Sequence, residues 1–488
     1  MNAGGVPATS AVTQQPTVPP DFVAEQPEVG VHESSIGIAP RVHARERVVV
    51  HVNSRAARWV GALALLSAAG WLMKVIARGP VDRLEWSLTV LAAVALIARG
   101  IFLGRPVTAR HAIAAVLVLF VGIGAHVLSF DLFGDVLMAG SGLALMWPTS
   151  ARRHPGDLAR VWALIKATRG DPLAPFAMQA GKCYLFSADG TAALAYRTRI
   201  GYAVVSGDPL GDEAQFPQLV ADFANVCHTH GWRIVVLACS ERRLALWTDP
   251  KVLGQSLHPV PIGQDVVIDV SSFETVGRRF RNLRQAVQRT HNCGLTTEIV
   301  GEQKLDGRLR GELTEVLRAS SRGAHTDRGF CMNLDGVLEG RYPGMQLIVA
   351  RDKSGRVQGF HRYATAGRGS DITLDVPWRR PGAPNGIDER LSVDMINAAK
   401  DAGAQRVSLA FAAFPELFDA KQRGRIQSLL YWLIHLLNPL IALESLYRYL
   451  RKFRAPDQRR YALVSLTQLV PLIYVLLSLE FMPRRRGL

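Results

Sequence analysis

The chain lacks the short motifs of metal and redox chemistry. Its five cysteines, Cys183, Cys227, Cys239, Cys293 and Cys331, are scattered and form no C-x-x-C pair. They read as reduced thiols of a cytoplasmic domain rather than as a disulfide framework. Thirteen histidines form no H-E-x-x-H, so no metal site is expected. The N-terminus carries no signal-peptide pattern, and the Gly-containing loop that follows Pro377 matches neither the dinucleotide nor the P-loop fingerprint. Negative charge is in short supply. There are 57 Lys and Arg against 41 Asp and Glu, a net charge of +16 and a pI of about 10.0. Such a balance favours nucleic acid or anionic lipid as a partner.

What is present divides the 488 residues, too many for one domain. Residues 1–54 are rich in Pro, Ala, Val and Ser without sustained period and read as a disordered arm. Four apolar stretches follow within residues 55–148: Trp59 to Ile76, Leu84 to Leu103, Val107 to Leu128 and Phe130 to Trp147. Each approaches the roughly 20 residues a membrane helix needs. Small residues such as Gly122, Gly140 and Gly142 suit close helix packing. Arg55 and Arg58 precede the first stretch, Arg99, Arg105 and Arg110 crowd the second connection, and Arg152, Arg153 and Arg160 follow the fourth, while the third connection has no Lys or Arg. The positive-inside preference therefore puts both ends of a four-helix bundle, and the large domain after it, in the cytoplasm.

From about residue 157 the pattern is that of an α/β protein. Helical spacing over Leu158–Ala167 leads into short strands at Cys183–Phe186, Ala192–Tyr196 and Tyr202–Ser206. A helix over Phe216–His230 ends at Gly231, and Arg233–Ala238 is a further strand. A second copy of this order begins near residue 272, with a helix over Arg308–Ala319 and strands at Gln346–Ala350 and Gln358–Ala364. Two α/β lobes are expected, at 149–271 and 272–463, with an apolar tail at 464–488.

The second copy closes on residues 371–414. A strand at Ile372–Val376 is expected to stop at Pro377, which lacks an N–H. A loop rich in Arg, Pro and Gly follows, then a helix with Asp388 and Glu389 in its first turn, then a strand at Arg406–Phe411. A loop feeding a helix N-terminus offers N–H groups to an anion or oxyanion, and Arg379 and Arg380 add charge. From spacing alone an ordinary crossover is the favoured reading. Between the lobes, residues 276–294 form a basic amphipathic helix. Phe280, Leu283 and Val287 lie on one stripe, and Arg278, Arg279, Arg281, Arg284 and Arg289 on the rest. It tracks phosphates or is a solvated face, with equal weight. Ser428–Leu450 suits an amphipathic segment. Val464–Met482 is apolar but interrupted by Pro471, and as a span it would leave Arg484–Arg486 outside, so a packed or in-plane segment is expected.

The segments GYAVVSGDPLGD (201–212), RNLRQAV (281–287), LDVPWRRPGAPNG (374–386), SLAFAAF (408–414) and ESLYRYLRKFRAP (444–456) occur in one order. Together they resemble the catalytic domain of the multiple peptide resistance factor family, the phosphatidylglycerol lysyltransferases, over roughly residues 157–465. The resemblance implies an α/β fold of two tandem N-acetyltransferase-like (GNAT) lobes following an all-α membrane bundle. It implies a multi-pass protein of the bacterial cell membrane. It also implies transfer of an aminoacyl group from aminoacyl-tRNA, as co-substrate and without a cofactor, to a hydroxyl of phosphatidylglycerol, which confers resistance to cationic peptides. Transesterification needs a polarised hydroxyl, a stabilised oxyanion and positioning. Under this reading Asp375 accepts the hydroxyl proton or holds the aminoacyl ammonium group. Arg379 holds the lipid phosphate or oxyanion, and Glu389 and Asp388 bind the amino acid's cation. Arg281 and Arg284 meet tRNA phosphates, Lys452 and Arg454 meet tRNA or headgroups, Arg380 adds charge, and Tyr447 and Tyr449 line the site.

The chain departs from the family's D-L-M-R, which here reads Asp375-Val376-Pro377-Trp378-Arg379, and no Trp follows the K-F-x-P segment. Two other readings stand beside the first: an acyl-coenzyme A N-acyltransferase acting on a lipid or sugar amine, of whose pyrophosphate loop residues 379–386 are a loose match, and a degenerate protein that binds tRNA or lipid only.

Overall fold

A computed structural model describes residues 48–50, 55–76, 83–320, 326–327, 330–413, 448–465, 469–480 and 484–485. Most of the expected N-terminal arm, the stretch 414–447 and Tyr447 within it lie outside the described residues.

Each of the four apolar stretches is a helix. These are α1 (Arg55–Ile76), α2 (Arg83–Phe102), α3 (Ala109–Val127) and α4 (Asp131–Leu145). A short pair, β1 (Val48–Val50) and β2 (Val107–Thr108), joins the start of α1 to that of α3, where the Thr108 side chain accepts from the His111 N–H. Glycine sets the spacing of the bundle. A Cβ on Gly142 of α4 would fall 2.4 Å from the Ala93 carbonyl of α2, so the two backbones touch there. Among the described residues one helix, Ala109–Val127, is long and apolar enough to cross a membrane. The 15-residue α4 is short of the usual span. Large apolar side chains nevertheless face outward from the bundle, among them Trp71, Ile113, Phe120 and Leu132.

The remainder is a mixed α/β fold on one twelve-stranded sheet. In the first half, α5 (Asp157–Ala167) precedes β3 (Cys183–Phe186), β4 (Ala192–Arg199), β5 (Tyr202–Ser206) and a short β6 (Leu210–Gly211) paired with β4. The helix α6 (Phe216–His230), capped by left-handed Gly231, and β7 (Arg233–Ser240) complete it. After the one-turn α7 (Pro250–Leu253) comes the long β8 (His258–Asp269). The second half comprises α8 (Arg281–Asn292), β9 (Thr296–Gly301), α9 (Gly307–Ala319), the two-residue β10 (Thr326–Asp327), β11 (Met345–Arg351), β12 (Val357–Ala366), β13 (Asp371–Arg379), α10 (Ile387–Asp401) and β14 (Arg406–Ala413). In each half an antiparallel run feeds a helix and then a parallel strand, β5 with β7 and β13 with β14. The repeated order read from the pattern is therefore present.

Two features differ from the sequence expectation. The strand does not stop at Pro377, since β13 runs to Arg379 with Pro377 opposite His361. From Leu374 onward β13 pairs with β12 alone. It is an edge there, where a missing N–H is tolerated. The halves are also joined through a strand the pattern did not reveal. β15 (Pro456–Val464) runs between β7 and β8 and pairs with both. On it Arg460 is fully buried among three carboxylates. Its guanidinium donates to Asp265 and Asp171 at 2.7 Å and to Asp208 at 3.4 Å, and to the Ala238 carbonyl at 3.2 Å. Burial pushes the Asp265 carboxyl up to about 6 even beside Arg460. The Gly207-Asp208-Pro209 turn is thus a scaffold feature, with Asp208 also accepting from the Ser240 N–H.

The apolar run after residue 464 forms α11 (Leu469–Glu480), and Leu472, Val475 and Leu479 are buried against the core that holds Phe176, Phe330 and Met345. One face of this segment is therefore packed on the fold. The last described pair, β16 (Arg484–Arg485), lies against β10.

Candidate active site

The two parallel pairs differ in length. β5 and β7 stay paired over all five residues of β5, Tyr202 to Ser206. β13 and β14 pair only at Asp371–Thr373 with Arg406–Ser408, although β13 continues to Arg379 and β14 to Ala413. The strands part, and the loop 380–386 and the start of α10 lie at the mouth. Gly386 caps α10 at φ 103° and supplies no side-chain cap, which leaves first-turn N–H groups uncapped by that residue. Gly386 is also where the basic helix meets the mouth, because a Cβ there would fall 2.4 Å from the Ala286 carbonyl of α8.

Polar side chains converge beneath this mouth. His361 on β12 is fully buried, and its Nε2 donates to Asp388 Oδ1 at 3.2 Å. A carboxylate oxygen only accepts, so Nε2 carries a proton. Nδ1 lies 3.5 Å from the Tyr363 hydroxyl, which lies 3.4 Å from Ser392 Oγ, and Ser392 in turn bonds the Tyr449 hydroxyl. Burial pushes both tyrosines above their ordinary value, so each stays a hydroxyl at neutral pH. Toward solvent, Asp388 Oδ2 meets Arg379 at 3.3 Å, with the arginine side chain 46% exposed. Glu389 pairs with half-exposed Lys452. The line therefore runs from buried imidazole, through a carboxylate, to an open guanidinium.

The residues singled out in the sequence fall into three groups. Asp388, Arg379, Glu389, Lys452 and Tyr449 are brought together. Arg281 is exposed on α8, Arg284 caps the Thr275 and Gly277 carbonyls, and Arg454 is exposed after the last helical turn. Arg380 is turned away, donating to the Val357 carbonyl and Glu315 at 2.9 Å, so it anchors the loop to α9. Asp375 is also elsewhere. None of its side chain is exposed; it accepts from Arg362 at 3.0 Å and from the Leu334 N–H at 2.8 Å, and Arg362 also holds buried Glu302 at 2.8 Å. Burial raises its carboxyl to about 7. The expectation that Asp375 meets a substrate hydroxyl is corrected by this closed triad, in which the carboxylate is shut off from solvent and each oxygen already accepts from Arg362 or Leu334. The sequence reading missed His361, Arg362, Tyr363 and Ser392. The signal was a His-Arg pair inside an otherwise apolar strand, FHRYATA, where a charge is buried only with partners.

A mixed sheet of two like halves thus carries a hydrogen-bonded His–Asp–Arg line where its second parallel pair of strands parts. The chain belongs to the family described as phosphatidylglycerol lysyltransferase, C-terminal, whose pattern it matches over residues 162–464. It is 72% identical over 469 residues to the MprF-like domain protein Rv1619 of Mycobacterium tuberculosis, covering 95% of this chain and 97% of that one. It is 27% identical over 401 residues to the lysylphosphatidylglycerol biosynthesis bifunctional protein LysX of Mycobacterium avium, covering 81% of this chain but 32% of LysX. The chain thus spans about a third of LysX. Two solved structures share the fold. The L-PGS structure from Bacillus licheniformis has a TM-score of 0.56 at 18% identity, covering 67% of this chain and 96% of that one. A C-terminal domain from Agrobacterium fabrum, described as that of a lysylphosphatidylglycerol synthetase, has a TM-score of 0.55 at 20% identity, covering 67% and 97%.

Proposed function

We propose that the protein is a membrane-bound aminoacyltransferase that moves an aminoacyl group from aminoacyl-tRNA to a hydroxyl of phosphatidylglycerol. The observation that carries this reading is the His361–Asp388–Arg379 line at the parting of β13 and β14. The lipid phosphate takes Arg379 away from Asp388 into a bidentate pair. Asp388 Oδ2, so released, accepts the glycerol hydroxyl proton, while His361 holds Oδ1 and fixes the carboxylate. The hydroxyl oxygen attacks the ester carbonyl, and first-turn N–H groups of α10 stabilise the oxyanion. The ribose oxygen leaves and takes the proton from Asp388, which returns to the carboxylate with which the cycle began. Asp375 acts at one remove, by holding Arg362 and hence β12 beneath His361.

The same reading places α1–α4 in the bacterial membrane as a multi-pass bundle whose outward Trp71, Phe120 and Leu132 meet lipid. Exposed Arg281 on α8, the helix that meets the mouth at Ala286, and Lys452, beside Glu389, meet tRNA phosphates. The product carries an added ammonium group, which weakens attraction of cationic peptides to the membrane. The test is cell-free. Membranes holding the protein are given phosphatidylglycerol, charged tRNA and labelled amino acids, and the lipids are separated. A ribonuclease-sensitive labelled lipid is expected. Its absence with every amino acid, from folded protein, overturns the reading.

A further inference from the structure

Arginines from separate elements converge where the helical bundle meets the first half of the sheet. The meeting is tight. A Cβ on Gly231, the cap of α6, would fall 2.4 Å from the Gly104 carbonyl in the α2–α3 connection. On the other side of the seam the Trp232 indole N–H donates to the Thr149 carbonyl at 2.9 Å, just past α4. Arg105 lies in the connection itself and donates to the Met146 carbonyl at 2.9 Å. Arg99 projects from the last turn of α2 and is exposed. Arg233 begins β7, two residues after Gly231.

Each arginine has an ordinary explanation taken alone. Arg105 caps the end of α4, and Arg99 suits a helix C-terminus. Neither explains why Arg233, from a strand of a different domain, is brought to them. Burial lowers the pKa of the Arg105 guanidinium most, the charges of Arg99 and Arg233 lower it further, and the Tyr202 phenol opposes them. Among the described residues no carboxylate is among these influences. Like charges held together at a half-buried seam call for an anion. The surroundings say which kind. Trp59, Phe102 and Trp147 lie at this end of the bundle with 54%, 44% and 56% of their surface exposed, and Trp59 packs edge-on against Phe102 at 4.6 Å. Half-exposed aromatic rings beside arginines are the pattern of a membrane interface. At the tip of the β4–β5 hairpin, where a Cβ on Gly201 would fall 3.7 Å from Pro148, Ile200 is exposed.

We propose that this seam binds one anionic phospholipid of the cytoplasmic leaflet, its phosphate held by Arg105, Arg233 and Arg99 and its chains lying along the Trp59, Phe102 and Trp147 face. The site is separate from the mouth at α10, and it ties the sheet to the bundle through a lipid. It rests on the reading that the bundle lies in the membrane.

The test is native mass spectrometry of the full chain released from detergent with phosphatidylglycerol, phosphatidylcholine or a short RNA. The native chain is expected to keep one phosphatidylglycerol in preference to phosphatidylcholine. Removing each guanidinium weakens retention roughly five-fold, so the Arg99→Gln, Arg233→Gln pair loses it. The charge-matched pair Arg310→Gln, Arg318→Gln on α9 keeps it. Equal retention in the Arg99/Arg233 variant, no preference for the anionic lipid, or retention of RNA instead overturns the proposal. Membrane fractionation of the same cells reads the bundle separately. A chain found in the soluble fraction fails the membrane reading, while loss of the adduct still reports on the seam.

Discussion

The two halves of the sheet share an order of elements but differ where each parallel pair ends. In the first half β5 and β7 stay together over all of β5. The acid that follows, Asp208, turns inward onto Arg460. In the second half β13 and β14 separate after three residues, and the acid in the following helix, Asp388, faces the opening. The same topology therefore gives a closed scaffold once and an open site once. What decides is the length of the parallel pairing and the side to which one carboxylate turns.

The largest effect that could break this contrast lies in the scaffold. Arg460→Ala leaves three buried aspartates without their shared cation and is expected to cost about 3–5 kcal/mol. Denaturant unfolding reads this, and a change within a few tenths of a kcal/mol would show that the node does not join the halves. Next come the two loop glycines. Gly386→Ala meets both a positive φ and the Ala286 carbonyl, and is expected to destabilise by about 1–3 kcal/mol and to move α8 from the mouth. At Gly207, with φ 72° and its nearest contact 3.8 Å away, the same change is expected to cost less. Equal losses in thermal unfolding would erase the difference.

A smaller effect concerns pH. Burial raises Asp265 from 3.8 in the unfolded chain to about 6 in the fold. Between about pH 4 and 6 the folded state therefore binds more protons than the unfolded one, and stability falls as pH rises through that window. Asp375, raised to about 7, acts in the same direction up to about pH 7. Relative to the native chain, Asp265→Asn is expected to flatten the fall in midpoint between pH 4 and 6; an unchanged slope would contradict the assignment. The smallest effect is on RNA. Arg281→Gln is expected to reduce the salt slope of tRNA binding by about 0.7–0.9, measured by binding at several salt concentrations.

Much of this was legible in the residues. Period and caps placed α6 and its Gly231 stop, and located β3, β5 and α10 to within a residue or two. That Asp388, Glu389 and Arg379 gather at one helix start was legible because a charged loop before a helix is a local pattern. Arg460 and β15 were not, since a strand inserted between β7 and β8 pairs residues some two hundred positions apart, and no local period marks it. Pro377 misled because its cost depends on whether the neighbouring edge is paired. Asp375 misled for a related reason, since its partner Arg362 lies on another strand.

The most direct measurement is transfer by Asp388→Asn in vesicles containing phosphatidylglycerol and charged tRNA, with thermal unfolding alongside. The expected result is a loss of about 10²–10⁴-fold in rate with the unfolding midpoint held. Full transfer by a folded Asp388→Asn protein would contradict the assignment of chemistry to the open half.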